Sequence, residues 1–233
     1  MANPALPWWT PGPEWAGQDA FLIGGGASLD GFDWGLLRGK NSIGLNAAIK
    51  LGPEFVKLGF FGDADWFDAN KWMLEGASAS MQIATLLYQD HFLRRCNVPW
   101  LRVCERIQTG FGTGRKVAWN FSTGAAAINL AINLGSARVF LLGFDMSRDR
   151  NGRSHWHRSY NHVTQDGSFA HFMKGFSILA GSLGALPASR PVNIINVVRG
   201  DSSRLDVFEK MEMNDFANMI KRQSPLLHRL EAA

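Results

Sequence analysis

The chain has 233 residues, 46% of them hydrophobic, and a formal net charge of +4 at pH 7. That length supplies apolar surface for one full globular core, and no apolar run approaches the roughly 18 to 20 residues of a membrane span. The basic excess, 24 Lys and Arg against 20 Asp and Glu, favours anionic ligands weakly; apart from "RDRNGRSHWHR" (148–158) it is dispersed, and it does not by itself establish a nucleic-acid partner.

Residues 1–19 are rich in Pro and Trp (Trp8, Trp9, Trp15) and read as an irregular N-terminal arm. The opening "MANPALPWWTPGPEW" has neither a basic nor an apolar leader region. Cys96 and Cys104 show no CxxC or Cys/His metal spacing, so a reduced, cytoplasmic protein is expected. The organisation expected is an arm at 1–19, one catalytic domain at 20–222 and a tail at 223–233.

"AFLIG" (20–24), "NSIGLN" (41–46) and "FVKLGFFG" (55–62) read as buried strands. "LDGFDWGLLRG" between the first two forms a short helix or a turn. "SMQIATLLYQDHFLRR" (80–95) has helical spacing and basic residues in its last turn, which predicts a helix. "PWLRVCE" (99–105) predicts a strand, and "QTGFGTGRK" (108–116) a mobile glycine loop. "STGAAAINLAINLG" (122–135) opens on a hydroxyl cap and closes on Gly135, which predicts a buried helix. "ARVFLLGFD" (137–145) follows as a strand, then "SFAHFMKGFSILAGSLG" (168–184) as a helix, "PVNIINVV" (191–198) as a strand and "NDFANMIKR" (214–222) as a helix. Strands alternating with helices predict an α/β fold: a Rossmann-like, mainly parallel sheet with helices on both faces, in one domain with a mobile His-bearing loop. In such sheets ligands bind beyond the carboxyl ends of the strands.

The residues just after each strand therefore carry the candidate chemistry. Gly24, Gly25 and Gly26 allow backbone to approach a ligand, and successive N–H groups can cradle a phosphate, with Ser28 adding a hydroxyl. The spacing is neither GxxxxGK[ST] nor GxGxxG. Asn46 ends the second strand with an amide suited to a base edge or a sugar hydroxyl. Asp63 and Asp65 in "GDADWF" have the spacing to hold Mg²⁺ or Mn²⁺ with substrate phosphates. Ser122, Thr123 and Gly124 open a helix whose N-terminus attracts anions. Asp145 ends the strand that follows and is a further nucleotide-binding candidate. His155, His157 and His162 in "SHWHRSYNH" are candidates for general acid or base.

The order of "GGGASL", Asn46, an acidic strand end, "STGAAAINLAINLGSARVFLLGFDMS", a His loop and "RGDSSRLDVF" resembles the bacterial lipooligosaccharide sialyltransferases. It also resembles the related family of 6-hydroxymethylpterin pyrophosphokinases, and "LLGFD…HWH" is similar to proteins of phages and prophages. The likeness spans roughly 20 to 210. It implies that Gly24, Gly26 and Ser28 form the phosphate-side turn, that Asn46 and Ser122-Thr123-Gly124 contact the nucleotide, and that His162 is the catalytic base, with His155 and His157 as close alternatives. Ala27 stands where those families have Pro, and Tyr160 is the one tyrosine near the His loop. The sialyltransferases need no metal, so the Asp63/Asp65 pair agrees better with the pyrophosphokinases or with a metal-dependent sugar transferase.

Three functions remain open at this point. The first is a glycosyltransferase-like enzyme moving a sugar from a nucleotide-sugar donor to a hydroxyl of a glycan or a modified DNA base. The second is a metal-dependent phosphotransferase or pyrophosphokinase using ATP, and the third a non-catalytic nucleotide-binding module. A homo-oligomeric state is compatible with each.

Overall fold

Runs of Ile, Val, Leu and Phe become strands here because branched and aromatic side chains pack well on a pleated surface buried on both faces. The computed structural model describes residues 8–87, 101–157, 164–184 and 191–223. His162, Tyr160, Cys96, positions 88–95 of the expected helix, and the tail after 223 lie outside the described residues. In chain order the strands are β1 (Asp19–Ile23), β2 (Ser42–Leu45), β3 (Leu58–Phe61), β4 (Gln82–Thr85), β5 (Leu101–Val103), β6 (Glu105–Ile107), β7 (Lys116–Ala118), β8 (Arg138–Leu142), β9 (Asn193–Val198) and β10 (Glu209–Glu212). The helices are α1 (Ala64–Ala77), α2 (Thr123–Asn133), α3 (Asp166–Leu183) and α4 (Met213–Gln223).

Eight strands form one sheet in the order β10-β9-β8-β1-β2-β3-β4-β5, every neighbouring pair parallel. Strands β6 and β7 pair separately, also in parallel. This is the α/β, mainly parallel architecture that the element order predicts. Successive residues point to opposite faces of a strand, so β1 sends Ala20 and Leu22 into one core and Phe21 and Ile23 into the other. Helices α2 and α3 cover the first face; α1 and α4 cover the second. From β1 the chain runs outward to β5, then returns to the other side of β1 with β8. The strand order reverses there, which opens a crevice at the carboxyl ends of β1 and β8.

Two sequence expectations are corrected. Residues 82–85 form β4, not the start of a helix. An inner strand of a parallel sheet is apolar on both faces, so Ile83, Ala84 and Thr85 lack the alternation that separates strand from helix. Helix α1, absent from the sequence reading, starts directly after Asp63. Its apolar period is blurred because Trp72, on the same helix as buried Trp66, Phe67 and Leu74, is 73% exposed. The stretch after Gly26 forms two 3-10 turns, Ala27–Leu29 and Trp34–Leu37, the second capped by Asp33 accepting from the Gly35 N–H.

Helix α2 is buried along almost its whole length and carries two asparagines on one face. Asn129 Oδ1 accepts from the N–H groups of Gly112 and Ala118, and its Nδ2 donates to the Gly112 carbonyl at 2.7 Å. Asn133, one turn later, donates to the carbonyls of Gly114 and Lys116. The glycine loop expected to be mobile is thus tied to the core along much of its length. Asn129→Ala strands three backbone groups away from water, so unfolding in urea is expected to show a loss of about 3 kcal/mol or more.

Candidate active site

The crevice at the reversal of strand order holds a cavity of about 230 Å³. Gly24 and Gly25 from the end of β1, Asn46 from the end of β2 and Asp63 from the end of β3 line it. So do Ser122, Thr123 and Gly124 at the start of α2, and His155 and His157. Apolar walls come from Trp119, Phe121, Phe144, Met146, Phe172 and Phe176. Ser28, Asp65, Gly26 and Asp145 are not among its lining residues.

Ser28, Gly26 and Asp145 instead join the end of β1 to the end of β8. The Asp145 carboxylate accepts from the Ser28 N–H at 2.8 Å and from the Ser28 hydroxyl at 2.6 Å. The N–H groups of Gly24 and Gly26 donate to the carbonyls of Leu142 and Gly143. Three N–H groups of the "GGGAS" turn therefore hold the β8 end instead of facing a ligand. The glycines are needed for this closeness: a Cβ on Gly26 would meet Asp145 at 2.5 Å, and one on Gly24 would meet the Gly143 carbonyl at 2.7 Å. Burial pushes the Asp145 carboxyl above its ordinary pKa, against the opposing pull of the Ser28 bonds and the Arg199 charge.

The "SHWH" segment crosses the outer side of the glycine turn. Trp156 donates through its backbone N–H to the Gly25 carbonyl at 3.0 Å and through Nε1 to the Gly24 carbonyl at 2.9 Å. Its ring packs on Trp34, 5.0 Å between centroids. His155 and His157, on either side of it, both face the cavity with their rings 5.2 Å apart. Gly25 makes the room, because a Cβ there would lie 3.1 Å from His155 Cδ2. His155 Nδ1 pairs with the Ser154 hydroxyl at 2.8 Å. The His157 pKa is lowered to about 4, first by burial, then by the neighbouring His155 and Lys50 charges. It is neutral at pH 7.

On the opposite wall, Ser122 caps α2 by accepting from the N–H groups of Gly124 and Ala125. The Thr123 hydroxyl donates to Asp63 Oδ2 at 3.2 Å, joining the β3 end to the α2 start. Asp63 keeps a solvent-facing side, yet the cavity walls remove enough water to raise its carboxyl pKa. Asp65 follows in the first turn of α1. Among the described residues no group of three or more His, Cys, Asp and Glu is arranged to hold a metal. Asn46 Oδ1 is buried without a hydrogen-bond partner among the described residues.

Backbone strain gathers at the same place. Four non-glycine residues among those described have left-handed backbone: Asn46, Asn120, Phe121 and Met146. Three of them line the cavity, and Asn120 adjoins it. Such geometry at a bulky residue costs about 1–2 kcal/mol and persists where the surroundings over-determine it, typically at ligand sites. Sequence reasoning missed Phe121, Trp119, Met146 and Trp156, since nothing local distinguishes them from core aromatics.

No protein-family model matches the chain, and no curated protein is similar to it in sequence. Among solved structures, the fold is similar to that of the sialyltransferase CstII from Campylobacter jejuni, solved in complex with a substrate analogue, cytidine-5'-monophosphate. The TM-score is 0.50 at 13% identity, over 82% of this chain and 84% of the other. At that identity the likeness is one of fold.

His157 binds no proton in the folded state until about pH 4, whereas an ordinary histidine in the unfolded chain takes one up near 6.5. Stability should therefore fall as pH drops through that window. Urea unfolding across it is expected to show a shallower pH slope for His157→Gln than for the wild type.

Proposed function

We propose that the chain is a glycosyltransferase-like enzyme that moves a sugar from a nucleotide-activated donor to an acceptor hydroxyl. One observation carries this reading: a cavity at the reversal of strand order gathers a helix N-terminus, an orphaned amide oxygen and two histidines. The likeness in fold to a sialyltransferase solved with a cytidine nucleotide supports it.

The donor's phosphate sits at the start of α2, where the dipole favours an anion, beside the glycine backbone of residues 24 and 25. The buried Asn46 oxygen accepts from a hydroxyl of the ribose or an amino group of the base. In the reaction the bond from the anomeric carbon to the donor phosphate breaks, and a bond from that carbon to the acceptor oxygen forms. The acceptor proton passes to a histidine. His157 and His155 both border the cavity and are candidates for that role, with His162 a further member of the same segment. Ser28 and Asp145 hold the turn on the phosphate side. The acceptor is a hydroxylated molecule, a glycan or a modified DNA base.

Asp63 is the cavity group that would meet an Mg²⁺ or Mn²⁺ ion accompanying the phosphates, with Asp65 two residues further on in the first turn of α1. Such an ion supplies neutralisation of the phosphate charge. The position of Asp63 beside the α2 start is also the observation behind a second reading, phosphoryl or pyrophosphoryl transfer from ATP.

A thermal-shift panel of CMP, CDP, UDP, GDP, ADP and ATP, with Mg²⁺, Mn²⁺ or EDTA, tests both. A ligand at a hundredfold excess over Kd stabilises by about 2.7 kcal/mol. The expected result is a shift with a nucleotide of the donor class, and release of that nucleotide from its sugar conjugate. His157→Ala is expected to slow this release about a hundredfold or more while the binding shift stays. Absence of any nucleotide shift would sink the reading. A shift confined to ATP and abolished by EDTA would favour the second, and binding without turnover a non-catalytic module.

A further inference from the structure

Phe121 has a backbone φ of +60°, directly after Asn120 at +45°. A phenylalanine in this region is unusual, because the Cβ crowds its own carbonyl. The surroundings leave it no alternative. Asn120 is fully buried, and both of its amide atoms bond Gly110, accepting from the N–H and donating to the carbonyl. Helix α3 closes on the Asn120 carbonyl so tightly that a Cβ on Gly175 would lie 1.8 Å from it. Ser122 then begins α2 as its cap. Between these two anchors the chain must turn through left-handed backbone, and the turn places the Phe121 ring on the cavity wall.

The ring is braced from α3. His171 lies 4.5 Å from it between centroids, and Lys174 stands 5.9 Å from its centre. Three further aromatics of the wall, Phe144, Phe176 and Trp119, have their own partners. Phe144 and Phe176 meet edge to face at 5.9 Å. Trp119 lies so close over Gly62 that a Cβ there would overlap its ring, and Arg106 stacks on it at 4.6 Å. Phe121 is only partly buried and borders the cavity in which the proposed function puts the nucleotide.

We infer that Phe121 is a stacking platform for the nucleobase of the bound nucleotide, an assignment that rests on the nucleotide-binding reading above. Every base has a π-face, so such a platform contributes affinity for the base and little discrimination among bases. It also accounts for a strained aromatic at a position where glycine or asparagine would sit more easily.

The test is calorimetric titration of the whole chain with CMP, UMP, AMP and GMP, and with ribose 5-phosphate, which lacks a base. Wild type, Phe121→Gly and Phe121→Trp are compared. Glycine adopts this backbone freely, so Phe121→Gly keeps the fold, which its melting curve verifies. The expected result is about a tenfold or greater loss of nucleotide affinity in Phe121→Gly, unchanged ribose 5-phosphate binding, and affinity retained in Phe121→Trp. Nucleotide binding in Phe121→Gly within about twofold of wild type would overturn the stacking role alone. Equal losses for nucleotide and ribose 5-phosphate would overturn it too, since the residue would then only shape the cavity. A wild-type chain that binds none of the four nucleotides would overturn the proposed function and the platform together.

Discussion

The structure depends on two turns held almost in contact. The chain leaves β1 through Gly24 to Ser28 and leaves β8 through Gly143 to Asp145, and these segments pack too closely for side chains between them. The Asp145 carboxylate bridges them by accepting two hydrogen bonds from Ser28. A buried carboxylate is tolerated when its oxygens are satisfied in this way. The two turns sit where the order of the sheet reverses, so their closeness sets the floor of the cavity and the path of everything laid across it. The glycine run serves this approach of backbone to backbone. It then provides carbonyls that hold Trp156 and so aim two histidines inward.

The cavity walls shift the protonation of groups that line them. His157 stays neutral because its walls and its charged neighbours disfavour the cation. Asp63 is held by Thr123 across the mouth, yet its carboxyl is raised by the same loss of water. Low local dielectric strengthens each such interaction and penalises any group left without a partner. The buried Asn46 oxygen is such a group, and it borders the same cavity as the left-handed backbone at Asn46, Phe121 and Met146.

Much of this was legible in the sequence. The helix at 123–133 carries its own start and stop, Ser122 and Gly135, and its apolar length declares burial. The runs that became β1, β8 and β9 are bounded by glycines and polar residues, and the rule that ligands sit beyond strand ends led to Gly24, Asn46, Asp63 and Thr123. The failures have physical reasons. Strand β4 has no alternation because both its faces are buried, and α1 hides its period behind an exposed tryptophan. Asn129 and Asn133 read as ordinary helix residues because their partners lie more than ten residues away in sequence.

The sequence by itself determined most of the element types, the parallel sheet and the strand ends as the place to look, because periodicity, caps and glycines act within a few residues. Only the tertiary structure decided which of those strand-end residues share a cavity. It turned Ser28 and Asp145 toward each other and brought Asp63 to Thr123 across 60 residues. It also drew Phe121 and Trp156 from anonymity to the wall and frame of the site. These outcomes follow from side-chain packing and hydrogen bonding between distant segments, whose energies depend on three-dimensional neighbours that no local pattern encodes.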